Sequence, residues 1–321
     1  MLMLSSYSKY IKTVIWSRRI RKYLEKNGFQ KAVEKYPNIK GRLLEKPDKV
    51  NKAIANAILS NKPYMVARFG GIELENTGKV DIEINYNLLK SFNTLCNNAG
   101  FFPNDITLLP RFSRLMKESM ISCDLQGTWY LPFEDYYFEN GLLKPSLITE
   151  GRYLEPWFAK IPWTKALSGK RVLVIHPFDE LIKEQYRKRE ILFKNKNLLP
   201  PFDLLTVKAV QTISGTKDSR FNTWFDALEY MCQEVDKKSY DVAIIGCGAY
   251  GYPLAAHIKN TGKIAIHLGG VTQCLFGIKG RRWDIDPRDD TVRNLYNEYW
   301  VYPGEREKPK GFQKVENGCY W

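Results

Sequence analysis

The chain has 321 residues, of which 44% are apolar, enough for a substantial core in one large or two modest domains. The sequence contains no run of about 18 apolar residues, so we expect no membrane-spanning helix. The start of the chain lacks the pattern of a secretory signal. The six cysteines form no C-x-x-C pair and the three histidines no H-E-x-x-H spacing. We therefore expect a cytoplasmic protein with reduced thiols and without the ligand spacing of a zinc enzyme.

The net charge of +14 is concentrated at the start of the chain. Residues 1–62 hold fifteen Lys/Arg against four Asp/Glu, a net +11 that leaves only +3 for the rest. Within them, residues 1–46 mix apolar and basic side chains and predict a basic helical extension. This extension either packs on its own domain or makes a peripheral contact with an anionic membrane, at the inner face. A nucleic-acid partner is not expected, because no recognition motif accompanies the charge.

The remaining residues, 47–321, are predicted to form the main domain, whose N-terminal half is 47–165. Apolar residues at a spacing of three and four predict a helix over 48–62, and the next segment, YMVARF, reads as a strand. A helix over 104–122 and a strand at TWYLP follow. The region 132–165 is rich in aromatic residues and prolines and yields no assignment.

Strands and helices alternate regularly over residues 166–285. The predicted strands are RVLVIHPF, FDLLTVKAV, YDVAIIGC and KIAIHLGG, and the helices between them are DELIKEQYRKREILF, SRFNTWFDALEYMCQEVD and YPLAAHIKNTG. This alternation predicts a parallel sheet with helices on both faces, and the continuously apolar strands fit a sheet buried on both sides. We therefore predict an α/β fold with a Rossmann-like, mostly parallel sheet, over which residues 286–321 pack as an irregular tail.

A glycine-rich turn follows the third of these strands. Its glycines have G-x-G-x-x-G spacing: Gly246, Gly248 and Gly251. Such glycines bring backbone N–H groups close to a phosphate at the carboxyl end of a strand. A dinucleotide would also require an acidic residue at the end of the next strand, which ends instead in His267, Gly269 and Gly270. Three interpretations stay open: a dinucleotide, a turn without ligand, or the phosphate of a nucleotide or sugar nucleotide. We favour the last, with Gln273 hydrogen-bonding the base or the sugar.

A second candidate segment, RFGGIE, follows the strand of the N-terminal half. The planar guanidinium of Arg68 is suited to pairing with a phosphate, and Glu73 is suited to act as a general base or a metal ligand. The alternative is an Arg–Glu pair at the surface. Asp179, in the segment HPFDE, is the second candidate for the base.

Together, ARFGGIE and VAIIGCGAYGYPLAAHIKNTGKIAIHLGG resemble GT-D-fold glycosyltransferases and their relatives from bacterial surface-polysaccharide loci. The resemblance extends from about Lys62 to Trp283. It implies an enzyme of the hexosyltransferase type, with a nucleotide-sugar donor and a glycan or lipid-linked acceptor. Members of the family carry R-F-G-D-G-E, which is matched here at Arg68, Phe69, Gly70 and Glu73.

The departure from the family that bears on the chemistry is at the aspartate position of this motif. The D-x-E carboxylates of the family are associated with a divalent metal and the diphosphate of the donor, but Gly71 stands at the aspartate position. Mg²⁺ or Mn²⁺ takes several oxygen ligands, so Glu73 alone does not make such a site. Either cations replace the metal or another acid supplies the ligand. A non-catalytic nucleotide- or sugar-binding relative therefore stays open as the alternative.

Overall fold

A computed structural model of the protein describes residues 38–39, 42–85, 87–131, 133–216, 218–315 and 317–321. Most of the predicted basic extension, residues 1–46, lies outside the described residues. The described part contains no helix that is long and apolar enough to cross a membrane.

The described part of the chain contains nine short strands. They are β1 (Asn38–Ile39), β2 (Arg42–Leu43), β3 (Tyr64–Arg68), β4 (Leu125–Thr128), β5 (Leu147–Glu150), β6 (Arg171–His176), β7 (Asp203–Lys208), β8 (Val242–Ile245) and β9 (Ile264–His267). The first two pair with each other, and the other seven form one sheet in the order β5-β4-β3-β9-β8-β6-β7. Every pair in this sheet is parallel. The predicted α/β class with a parallel sheet is confirmed.

Helices cover both faces of the sheet. They are α1 (Pro47–Ser60), α2 (Gly71–Asp81), α3 (Leu88–Ala99), α4 (Leu109–Ile121), α5 (Glu134–Glu139), α6 (Asp179–Tyr186), α7 (Arg189–Leu192), α8 (Trp224–Asp236), α9 (Gly251–Asn260), α10 (Arg281–Ile285) and α11 (Asp290–Arg293). Successive strand residues face opposite sides of a sheet, so Met65 joins the core under α2, α3, α4, α8 and α9, and Val66 joins the core under α1 and α6. Burial on both sides explains why the inner strands β6 and β8 contain continuous apolar runs, VLVI and VAII.

The strands and helices predicted for residues 166–285 are present, but several begin or end at other residues than predicted. The helix predicted over 219–236 begins only at Trp224, because Thr223 and Asp226 form a capping box there. The helix predicted over 179–193 is two helices, α6 and α7. The predicted tail, residues 286–321, packs on the domain through residues such as Trp300.

The N-terminal half differs more from the prediction. The strand predicted at TWYLP is β4, which ends at Thr128 where the predicted strand began, and α2, α3 and α5 were not predicted. The unassigned region 132–165 contains β5, one of the two edge strands of the sheet. The two predicted halves, 47–165 and 166–285, contribute strands to the same sheet, which β3 and β9 join at its middle.

Candidate functional site

A cleft of about 610 Å³ opens at the carboxyl edge of the sheet. This volume lies in the range of small-molecule sites, about 300–1,000 Å³. Its lining includes residues at or just after the ends of β3, β4, β6, β8 and β9, which is where ligands bind in open parallel sheets. Eight predicted site residues line it: Arg68, Gly70, Glu73, Gly246, Gly248, Gly269, Gly270 and Gln273.

Two predicted site residues, Asp179 and Gly251, are not part of this lining. Asp179 begins α6, and its Oδ2 atom lies 3.9 Å from Lys183 Nζ. Burial raises the pKa of its carboxyl, against the charge of the lysine. Gly251 begins α9, where any Cβ atom would overlap the ring of His267. This glycine allows α9 to pack closely on β9. The sequence predicted a ligand contact for Gly251 because its spacing alone does not distinguish a packing role from a binding role.

Two other glycines leave the backbone open to the cleft. Gly248 and Gly269 have φ angles of 58° and 64°, which disfavour other residues, and an added Cβ at either would meet no atom within 4 Å. They follow neighbouring strands, β8 and β9. A short 3₁₀ turn, Gly248–Tyr250, leads from the first of them into α9. The first N–H groups of a helix have no partner inside it, so this turn presents donors suited to an anion.

The guanidinium of Arg68 is engaged within the protein. Arg68 is buried, and its Nη1 atom donates to Glu155 Oε1 and to the Gly151 carbonyl, both at 3.0 Å. Its Nη2 atom donates to the Leu268 carbonyl, and its Cζ atom lies 5.0 Å from the centre of the Trp129 ring. These contacts join the segments that follow β4, β5 and β9. All of these contacts are with other parts of the protein, so a contact of Arg68 with phosphate stays a prediction.

Glu73 lies in the first turn of α2, half-buried at the cleft wall. Its carboxylate folds back over Gly70, where any Cβ atom would overlap it. Carboxylates are favoured in the first turn of a helix, because the backbone dipoles there are positive at that end.

The acids of the cleft do not assemble into a metal site. Among the described residues, no group of three or more His, Cys, Asp or Glu side chains could hold a metal ion. Of the acids near Glu73, Glu75 pairs with Lys79 at 2.9 Å. With Gly71 at the aspartate position of the family, the donor set does not fit the oxygen-rich shell of Mg²⁺ or Mn²⁺.

Two buried histidines line the cleft in neutral form. Burial lowers the pKa of His176 to about 3, and burial together with the charge of Arg68 lowers the pKa of His267 to about 3. The backbone N–H of Phe178 donates to His176 Nδ1 at 3.0 Å, so Nε2 carries the proton. His176 is therefore a hydrogen-bond donor to the cleft rather than a base. Nδ1 of His267 is buried and has no hydrogen-bond partner in the described part of the chain.

Formal charges in the cleft lining nearly cancel. The lining contains four arginines and five acids: Arg68, Arg152, Arg282, Arg288, Glu73, Glu75, Glu155, Asp286 and Asp289. Asp286 pairs with Arg288 at 2.5 Å, which lowers the pKa of the aspartate to about 2. Arg152 donates to the Arg288 carbonyl at 3.1 Å, and no ion pair joins it to an acid within the described ranges. Attraction of an anion must therefore come from local groups, of which Arg152 is the most available cation.

The end of the chain forms one wall of the cleft. The ring of Tyr320 packs against Gly270, where a Cβ atom would overlap it, and Arg282 Nη1 donates to the Tyr320 hydroxyl at 3.0 Å. Nε2 of Gln273 donates to the Tyr320 carbonyl at 3.1 Å. Gln273 and Gly270 thus hold the tail in place. The ring of Trp321 lines the cleft beside them.

The loop after β4 is fixed by a buried carboxyl group. Glu134 Oε2 accepts from the hydroxyl of Thr128 at 2.5 Å and from the N–H of Leu131 at 2.8 Å, and Oε1 accepts from the N–H of Trp129 at 3.3 Å. Trp129 and Leu131 line the cleft. Burial raises the pKa of Glu134 to about 7, although the hydrogen bonds lower it.

We expect Glu134 to make stability depend on pH. A carboxyl with pKa 4.5 when unfolded and about 7 when folded contributes stability that is fully present below 4.5 and lost as pH rises to 7. His176 and His267 act oppositely, losing their contribution as pH falls from 6.5 towards 3. Comparing Glu134→Gln with the wild type isolates the carboxyl. Denaturant unfolding at several pH values should show the wild type losing roughly 3 kcal/mol relative to the variant across this window. A difference independent of pH would contradict the raised pKa.

No protein-family model matches this chain, and no curated protein sequence matches it. Two solved structures are similar in shape. One, described as a selenomethionine-substituted domain of unknown function 1792, has 11% identity and a TM-score of 0.39, covering 80% of this chain and 99% of that chain. The other is described as a highly conserved domain of the same kind with a distinct glycosyltransferase fold. It has 11% identity and a TM-score of 0.40, and the match covers 79% of this chain and 94% of that chain. At these values the likeness says nothing about the chemistry of this chain.

Proposed function

We propose that this protein is a glycosyltransferase of the hexosyltransferase type, which moves a sugar from a nucleotide-sugar donor to a surface-glycan acceptor. The observation that carries the proposal is the pair of open glycine turns, Gly248 and Gly269, at the ends of neighbouring strands. They face a cleft that has the volume of a small-molecule site and that also contains a carboxylate, Glu73. The GT-D resemblance of the sequence supports the same assignment.

The transfer reaction requires the protein to stabilise the leaving diphosphate and to accept a proton from the acceptor hydroxyl. As the acceptor oxygen bonds to the anomeric carbon, the donor's C–O bond breaks and its electron pair leaves with the diphosphate. Backbone N–H groups after Gly248 and the guanidinium of Arg152 are suited to stabilise that charge. Glu73 is suited to take the proton of the acceptor hydroxyl. No step is assigned to a metal ion, because the acids of the cleft do not fit one.

Replacing Gly248 with alanine should remove most of the thermal stabilisation that a nucleotide gives. The added Cβ atom would occupy the space in which we propose that the phosphate lies. The measurement is a thermal-shift screen of the wild type and the variant with nucleoside diphosphates and sugar nucleotides, with and without Mn²⁺.

Gly262→Ala is the matched control. Gly262 has a φ of 87° and no atom within 4 Å of an added Cβ, but it lies in the turn between α9 and β9, outside the cleft lining. Both substitutions carry the cost of a left-handed backbone, about 1–2 kcal/mol. Only Gly248→Ala should lose the nucleotide-dependent shift. Equal shifts in the two variants would make the Gly248 turn structural.

A second candidate function is binding without catalysis. Gly71 at the family's aspartate position favours it, because a transferase that lacks the second carboxylate must stabilise the leaving group in another way. Once a nucleotide sugar is shown to bind, its hydrolysis or transfer is measured by release of the nucleotide. Binding without any release would favour this second candidate.

We also propose that the basic residues 1–46 hold the protein reversibly at an anionic membrane, near a lipid-linked acceptor. Each basic residue near such a surface contributes about 1 kcal/mol, and the attraction weakens with salt. Full-length protein should sediment with vesicles that contain anionic lipid, and a chain that begins near Glu45 should not. Equal sedimentation of the two would contradict the proposal, as would binding that ignores lipid charge.

A further inference from the structure

A second groove, of about 230 Å³, lies between α2 and α3 and meets the cleft at Ile72 and Glu75, which line both. Its volume far exceeds the roughly 30 Å³ that one water molecule occupies. The α2 side is formed by Ile72, Glu75, Asn76 and Lys79, and the α3 side by Asn87, Lys90, Ser91 and Thr94. On each side the spacing is i, i+3, i+4, i+7, which is one face of a helix. Two largely polar faces thus meet across the groove.

One of these polar groups lacks a partner. Nδ2 of Asn76 donates to the carbonyls of Ile72, at 2.9 Å, and Ser91, at 3.0 Å, which fixes the orientation of the amide. Asn76 is fully buried, and its Oδ1 atom has no hydrogen-bond partner among the residues that the structure describes. Buried acceptors are rarely left without a donor.

The other polar groups of the groove are held in place. Lys79 is buried, and its Nζ atom lies 2.9 Å from Glu75 Oε1 and 2.5 Å from the hydroxyl of Ser91. That hydroxyl in turn donates to the same Glu75 oxygen at 3.0 Å. The groove therefore offers donors and acceptors in a fixed arrangement, which suits a ligand whose hydroxyls do both. Carbohydrates have that chemistry.

We propose that this groove binds a sugar unit of the acceptor and leads its reacting hydroxyl to Glu73, an inference that rests on the proposed transferase function. Glu73 lies on α2 between Ile72 and Glu75, the two residues at which groove and cleft meet. An acceptor held along α2 therefore lies beside the carboxylate. The groove determines which glycan is extended, and the cleft determines which sugar is added.

Thr94→Trp tests the groove by filling it. Thr94 is half-buried on α3, and its hydroxyl donates to the Lys90 carbonyl of the same helix, so the fold should tolerate the change. Asn93→Trp is the control, because Asn93 is exposed on the same helix and does not line the groove. The melting temperatures of both variants check that they fold.

The measurement is saturation-transfer NMR of the full chain with methyl glycosides of glucose, galactose, rhamnose and N-acetylglucosamine and with the disaccharides lactose and chitobiose. At least one sugar should give a signal that Asn93→Trp retains and Thr94→Trp reduces at least tenfold. The groove assignment is overturned if Thr94→Trp retains the full signal, or if no sugar binds the wild type. Nucleotide thermal shifts of the wild type are recorded separately. A missing nucleotide shift with an intact sugar signal overturns the donor proposal and leaves the groove standing.

Discussion

Replacing Arg68 with methionine should lower the free energy of unfolding by about 3–5 kcal/mol. The side chain of Arg68 is 9% exposed, as is that of Glu155, its partner in a 3.0 Å ion pair. Without the arginine, Glu155 is left as a buried acid without its cation, and the carbonyls of Gly151 and Leu268 lose their donor. Breaking a buried pair by removing one partner leaves an uncompensated charge, which is the costly case. Denaturant unfolding measures the loss.

The double variant Arg68→Met/Glu155→Met serves as the control. Removing both charges eliminates the unpaired acid, so most of the lost stability should return, and nucleotide-dependent stabilisation can then be measured on a folded protein. Near-wild-type stability of Arg68→Met, with nucleotide binding abolished, would contradict the structural role. It would support the phosphate contact that the sequence predicts.

The second half of the fold could be predicted because its signals are strong. β6 and β8 each contain four consecutive apolar residues, VLVI and VAII, and α8 and α9 show clear helical spacing. β4 and β5, by contrast, have four residues each, LQGT and LITE. Strands that short and mixed carry no readable period. Only pairing with a neighbour, of β4 with β3 and of β5 with β4, fixes them as strands. Tertiary context decided these elements, not local preference.

The residues of the candidate site could be predicted where the strand that precedes them could be predicted. The rule that ligands bind beyond strand ends nominated the glycine turns and Glu73, and all but two of the predicted residues line one cleft. Arg152 and Glu155 were missed because they follow β5, which the sequence did not reveal. Once that strand is known, the same rule finds them. Nothing local in the sequence signalled that Tyr320 and Trp321 return to the cleft from the end of the chain.

The role of each glycine in the glycine-rich turn could not be predicted from the sequence either. Gly246, Gly248 and Gly251 share one motif, yet a Cβ atom would overlap His176 at the first and His267 at the third and would meet open space at the second. The motif therefore contains two packing positions and one position open to a ligand. Only neighbours distant in the chain distinguish them, and spacing alone does not carry that information.

Replacing Glu73 with glutamine should lower kcat about 10²–10⁴-fold, the usual contribution of a general base, while KM stays nearly unchanged. The amide keeps the size of the side chain over Gly70 but accepts no proton from the acceptor hydroxyl. A base acts in the transition state, so its loss affects turnover more than substrate binding. The measurement is steady-state transfer or hydrolysis with whichever nucleotide sugar stabilises the wild type.

Asp179→Asn is the comparison for this experiment, because Asp179 is the other acid that the sequence nominates and it lies outside the cleft lining. Its variant should retain kcat within a few-fold, since its carboxylate lies 3.9 Å from Lys183 Nζ and is not part of the cleft lining. A raised KM with kcat intact in Glu73→Gln would turn Glu73 into a binding residue. A large loss of kcat in Asp179→Asn, with Glu73→Gln active, would move the base to the end of β6.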